Sequence, residues 1–167
     1  MKTLTISESR DWCKARGIDV DERGKPQLVV KELHVRRIEV PKAQASRLLW
    51  MSKCIEFALR PWTRSLLWVT TKGIWPSSEN WHLYYRLRQS YGDHQLIDDA
   101  PGHLFQDYES PDLISFIQLG LCAGWDMSLL TEDDYARAFV SHDEWIEFAM
   151  QDDADLEKLA KDLIGEG

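Results

Sequence analysis

The densest run of chemically capable side chains is Asp93-His94-Gln95-Leu96-Ile97-Asp98-Asp99-Ala100-Pro101-Gly102-His103, with Asp107, Glu109 and Asp112 close behind. Two imidazoles among carboxylates offer the mixed N and O ligands that divalent metals take. His94, Asp98, His103 and Asp107 would form such a site and support metal-assisted hydrolysis. Their spacing matches no compact ligand pattern, such as two histidines four apart on a helix with a glutamate between them. A solvated acidic loop accounts for the same residues, and no cofactor is expected. His142-Asp143-Glu144 is the second group, an imidazole beside carboxylates as acid–base work requires. Yet Ser141 and Glu144 have the spacing of a capping box, in which each side chain bonds the other's backbone N–H. That pattern predicts a structural helix start.

Nucleophile and phosphate chemistry find less. Cys13, Cys54 and Cys122 include no Cys-x-x-Cys pair, which argues against a zinc site and for reduced thiols in a cytoplasmic protein. Ser110 precedes Pro111 and Asp112 where a helix cap is expected, not within a Gly-x-Ser-x-Gly elbow. Neither a P-loop nor a Gly-x-Gly-x-x-Gly turn occurs among the 9 glycines. With no complete catalytic motif, binding is the favoured class of function over catalysis.

Charge and aromatic content say what could be bound. The net charge is −8, divided unevenly along the chain. Residues 1–75 hold 15 Lys and Arg against 8 Asp and Glu, whereas residues 76–167 hold 5 against 20. Such asymmetry marks either a binding surface or internal pairing of two faces. Arg36, Arg37, Lys42, Arg47, Lys53, Arg60 and Arg64 lie near Trp50, Trp62 and Trp68, the pairing of types a single-stranded nucleic acid needs. The overall acidity and their helix-face spacing predict a solvated face instead, so nucleic acid is not the expected partner. The acidic half points to a protein with a basic surface, in the manner of an inhibitor or immunity-type protein. Self-association of the two unlike halves is an alternative, giving a homo-oligomer. Tyr91, Asp93, Asp98, Asp99, Phe105, Asp107, Tyr108 and Glu109 are the expected docking loop, acids for attraction and aromatics for contact. Of the 8 tryptophans, Trp75, Trp81 and Trp145 flank turns or helix starts and join the candidate contact surface. Trp68 and Trp125 are expected in the core.

The elements that must position these residues make an α+β fold, a single domain with a mostly antiparallel sheet and packed helices. Residues 1–27 read as an N-terminal helix and loop, and 28–164 as the main body. A helix is expected at 8–16, capped by Ser7 and ended by Gly17. Strands are expected at 28–40, 65–71, 125–130 and 135–140, the last two as a hairpin. Leu48, Met51 and Ile55 mark one helix; Leu83, Leu87 and Tyr91 mark another, ending at Gly92. The apolar run 113–122 predicts the most buried helix, and a further helix is read from His142 towards the end. No run approaches the ~20 apolar residues of a membrane span, and the first residues lack a signal-peptide apolar region.

Overall fold

Ser65-Leu66-Leu67-Trp68-Val69 is apolar on both parities, the pattern of a strand covered on both faces. In the computed structural model, which describes all residues except 23, 28–32, 41–44, 73–77, 134 and 166–167, this run is the centre of β3 (Arg64–Thr71). The other strands are β1 (Lys2–Leu4), β2 (His34–Glu39), β4 (Gly102–Gln106), β5 (Asp126–Thr131), β6 (Ala136–Ser141) and β7 (Trp145–Met150). All seven form one sheet in the order β1-β4-β3-β5-β6-β7-β2. Every pairing is antiparallel. The fold is α+β, as composition and patterning predict.

Register divides the side chains between two faces. Leu129 pairs with Ala138 and Ala138 with Phe148, while Met127 pairs with Val140 and Val140 with Ile146. Those six line one face with Leu67 and Val69 of β3. Over it pack α2 (Ala45–Ala58), α3 (Ser78–Ser90), α4 (Ser110–Ala123) and α5 (Asp153–Gly165). On the opposite face, Trp12 and Cys13 of α1 (Ile6–Lys14) meet Leu66, Trp68, Leu104 and Leu130. Trp68 and Trp125 are both core residues.

Several local expectations are corrected. Helix α1 starts earlier than predicted, because Thr5 and Glu8 form the capping box and Ser7 lies inside the helix. Gly17 does take the left-handed conformation that ends it, with φ +69°, and Ile18 donates its N–H to Cys13. Glu109 occupies the N-cap position of α4 without a side-chain capping bond, leaving Ser110 in the first turn with its hydroxyl donating to Glu56. The largest difference is at residues 141–150. Ser141 to Glu144 is a β-turn, not a helix cap, and the chain returns as β7 with Ile146, Phe148 and Met150 facing the core. The stretch 93–109 is not one loop: it contains β4 and a single 3-10 turn, Asp107–Glu109. Of the strand expected at 28–40, His34–Glu39 is strand, while 28–32 lie outside the described residues.

Candidate functional site

The fold scatters the acidic loop. Phe105 is fully buried in the core, and Glu109 is buried against the Met1 ammonium. Asp98 pairs with Lys72, and Asp99 is exposed. Tyr91 donates its hydroxyl to Asp112. Asp107 and Tyr108 sit at the surface, Tyr108 being 78% exposed. Trp81 is half-buried, stacked on Tyr85 and tilted against Trp125. Trp145, also half-buried, lies under the Arg37 guanidinium at 3.7 Å. Trp75 lies outside the described residues. The four candidate metal ligands do not converge: His94 is exposed, His103 is fully buried, and Asp98 is tied to Lys72. Among the described residues no group of three or more His, Cys, Asp or Glu could hold a metal ion.

His103 instead belongs to a buried polar chain. The Tyr84 hydroxyl lies 2.7 Å from His103 Nε2, and His103 Nδ1 lies 3.3 Å from the Leu67 carbonyl. Arg88 donates through Nη1 to Tyr84 and to the Ala100 carbonyl, and through Nε to Asp93. Burial and the Arg88 charge push the His103 imidazole down to about 3, so it is neutral at pH 7. With Nδ1–H facing a carbonyl, Nε2 is the acceptor and Tyr84 the donor. Burial alone would raise the Asp93 carboxyl, but hydrogen bonds from Arg88 and Gln95 outweigh it and hold it low. This chain ties α3 to β4 in the interior, and none of the described cavities is lined by Tyr84, Arg88 or His103.

At the C-terminal end of α2 the surface opens into a groove of about 520 Å³. Phe57, Ala58, Arg60, Pro61 and Trp62 form one wall, Asp155, Lys158, Leu159 and Asp162 of α5 the other, with Asp107, Tyr135 and Met150 between. The local sequence explains the wall. Met51, Ile55 and Ala58 make the buried stripe of α2, continued by Leu59 just beyond it, and Phe57 falls outside that stripe, 71% exposed. On α5, Leu156, Leu159, Ala160 and Leu163 face inward, so Asp155 and Asp162 come up on the flank beside Leu159. Trp62 is 6% exposed, and its indole N–H has no acceptor among the described residues. Arg60 reaches back to Glu56 at 2.8 Å and to Ser110 at 3.1 Å, which commits its charge. The Tyr135 hydroxyl donates to Asp155 at 2.7 Å, a bond that pushes the phenol up to about 12. Lys158 forms no ion pair with either neighbouring acid. The lining therefore combines exposed aromatic area with surplus carboxylate.

The sequence singled out Asp107 and Tyr108 for docking and set Arg60 and Trp62 in a basic, aromatic run, but Phe57, Tyr135, Asp155 and Asp162 were not singled out. One signal was present: Phe57 breaks the apolar stripe of its helix. The remaining residues come together only through the sheet.

Comparison of the chain with protein-family models, with curated proteins and with solved structures gives no match.

Proposed function

We propose that this chain is a non-enzymatic, acidic protein-binding domain that masks a basic partner, in the manner of an inhibitor or immunity-type protein. The groove between α2 and α5 is its docking site. The observation that carries this reading is the lining itself. Phe57 is a large exposed aromatic beside Asp107, Asp155 and Asp162, while one of the two cations, Arg60, is already committed to Glu56. Aromatic area in a groove supplies the desolvated contacts that dominate binding energy, and surplus carboxylates speed and orient the approach of a basic surface.

The charge division along the chain supports a partner other than a second copy. Arg16 and Arg64 pair with Glu132, Arg36 with Glu157, and Arg37 with Glu147. The basic first half thus meets acids of the second half within one molecule, and those cations are not held in reserve for another. To test the reading, labelled peptides of equal apolar content, one set carrying Arg and Lys and the other Asp and Glu, are titrated at low and high salt. Binding of the basic set, weakened by salt and lost on replacing Asp107, Asp155 and Asp162 by Asn, is the expected result. Equal binding of both sets, or of neither, would reject it. A salt-sensitive dimer in sedimentation would point to a second copy as occupant.

A further inference from the structure

We infer that the side chain this groove selects is arginine, not lysine, and that Asp155 receives it in an orientation fixed by Tyr135. The inference rests on the docking reading above and adds the partner's chemistry to it. Tyr135 immediately precedes β6, half-buried, with its hydroxyl 2.7 Å from Oδ2 of Asp155. That bond engages one carboxylate oxygen and favours one orientation of the group. Oδ1 accepts no hydrogen bond from a described residue, and each carboxylate oxygen offers two acceptor sites. Lys158 lies one turn further along α5, and among the described residues no cation pairs with Asp155. What remains is a planar acceptor, oriented in advance, beside the apolar surface of Leu159, Met150 and Trp62.

A guanidinium suits that receptor in three respects. Its fork of N–H donors is planar and matches a carboxylate edge, whereas an ammonium is a point charge. It is more weakly hydrated, so resting on apolar and aromatic surface costs it less. Its donors are preorganised, so less side-chain entropy is lost per bond formed. Asp162 lies seven residues on, about 10.5 Å along the helix axis, too far to share the same guanidinium. Its carboxylate is a second, general attraction and not the selective one.

Asp155 also stands in the first turn of α5, where an acid complements the helix dipole. A purely structural Asp155 would lower stability on substitution and discriminate nothing. The experiment separates the two roles. Isotopically labelled protein is titrated with N-acetyl-Leu-Xaa-Leu-amide, in which Xaa is arginine, lysine or citrulline, and shifts are followed at Leu159 and the Trp62 indole. Arginine should bind roughly tenfold tighter than lysine, and neutral citrulline should lose at least as much again. Asp155→Asn should erase the arginine–lysine difference, Tyr135→Phe should narrow it while leaving the carboxylate in place, and Asp162→Asn should weaken both peptides alike. Melting curves establish that each variant is folded. Equal binding of arginine and lysine, both above citrulline, overturns the arginine inference and leaves the docking reading standing. No preference for either cation over citrulline, or no binding at all, overturns both.

Discussion

Glu132 is a shared acceptor at the surface. It takes hydrogen bonds from Arg64, Arg16 and Thr63 and thereby joins β3, the turn after α1 and the turn after β5. The bonds from Arg64 first, and then Arg16 and Thr63, outweigh partial burial and hold its carboxyl down to about 2. A folded value below the ordinary ~4.3 means that its contribution is complete above ~4.3 and is lost as pH falls through about 2. Because the group is partly solvated, Glu132→Gln should cost only about 1–2 kcal/mol near neutrality. Urea denaturation from neutral pH down to about 2 should show that gap closing, and a gap constant over the range would contradict the assignment. His103 behaves in the same sense for another reason. The unfolded imidazole gains a proton below ~6.5, while the buried one resists until about 3. Stability therefore falls through that window in wild type and Glu132→Gln alike. Tyr84→Phe removes the donor to His103 and an acceptor of Arg88, leaving buried polar atoms unpaired. A loss of about 1–3 kcal/mol in denaturant unfolding is expected, and a neutral result would show that the chain is relieved elsewhere.

Packing between elements decides where local propensity is overruled. Gly120 lies in the body of α4, where alanine normally gains about 1 kcal/mol over glycine. Here a Cβ would meet Sδ of the fully buried Met127 at 2.0 Å, because α4 rests directly on β5. Gly120→Ala should therefore destabilise by about 1–3 kcal/mol despite the gain in propensity, and a raised melting temperature would refute that. The same competition explains what was legible in the sequence. β3 was readable because both of its faces are buried, and α4 because Pro111 and Gly124 punctuate an apolar run. β7 was misread because Ser141-x-x-Glu144 imitates a helix cap and the helical pattern around Leu156 could be extended backwards. Yet Ile146, Phe148 and Met150 already alternated, and that period was the better guide. β4 was hidden by its neighbours, Pro101 and a cluster of acids that dress it as a loop, although His103 to Phe105 is wholly buried. Tyr84 and Arg88 carried no motif, since a buried arginine can be identified only from what surrounds it.

Taken as a whole molecule, the chain folds its basic half against its acidic half, and the carboxylate left over becomes informative only after that pairing is subtracted. This is why the charge division alone did not locate a surface: the acids of 93–109 are mostly consumed by Arg88, Lys72 and the Met1 ammonium. The groove draws on α2, the 3-10 turn, the residue before β6, the end of β7 and α5, distant in sequence and adjacent only because β6 and β7 bring the end of the chain beside α2. Phe57 and Tyr108 remain outside the core at this end of the molecule, and burying such side chains is worth about 1.5–3 kcal/mol each. The most direct test is to map, residue by residue, the amide and indole shifts caused by a short arginine- and leucine-containing peptide. The account predicts that the perturbed residues cluster at 57–62, 107–108, 135 and 155–162. Perturbations centred on Asp98 and Asp99, on the His142 turn, or spread without focus over the acidic surface would contradict it.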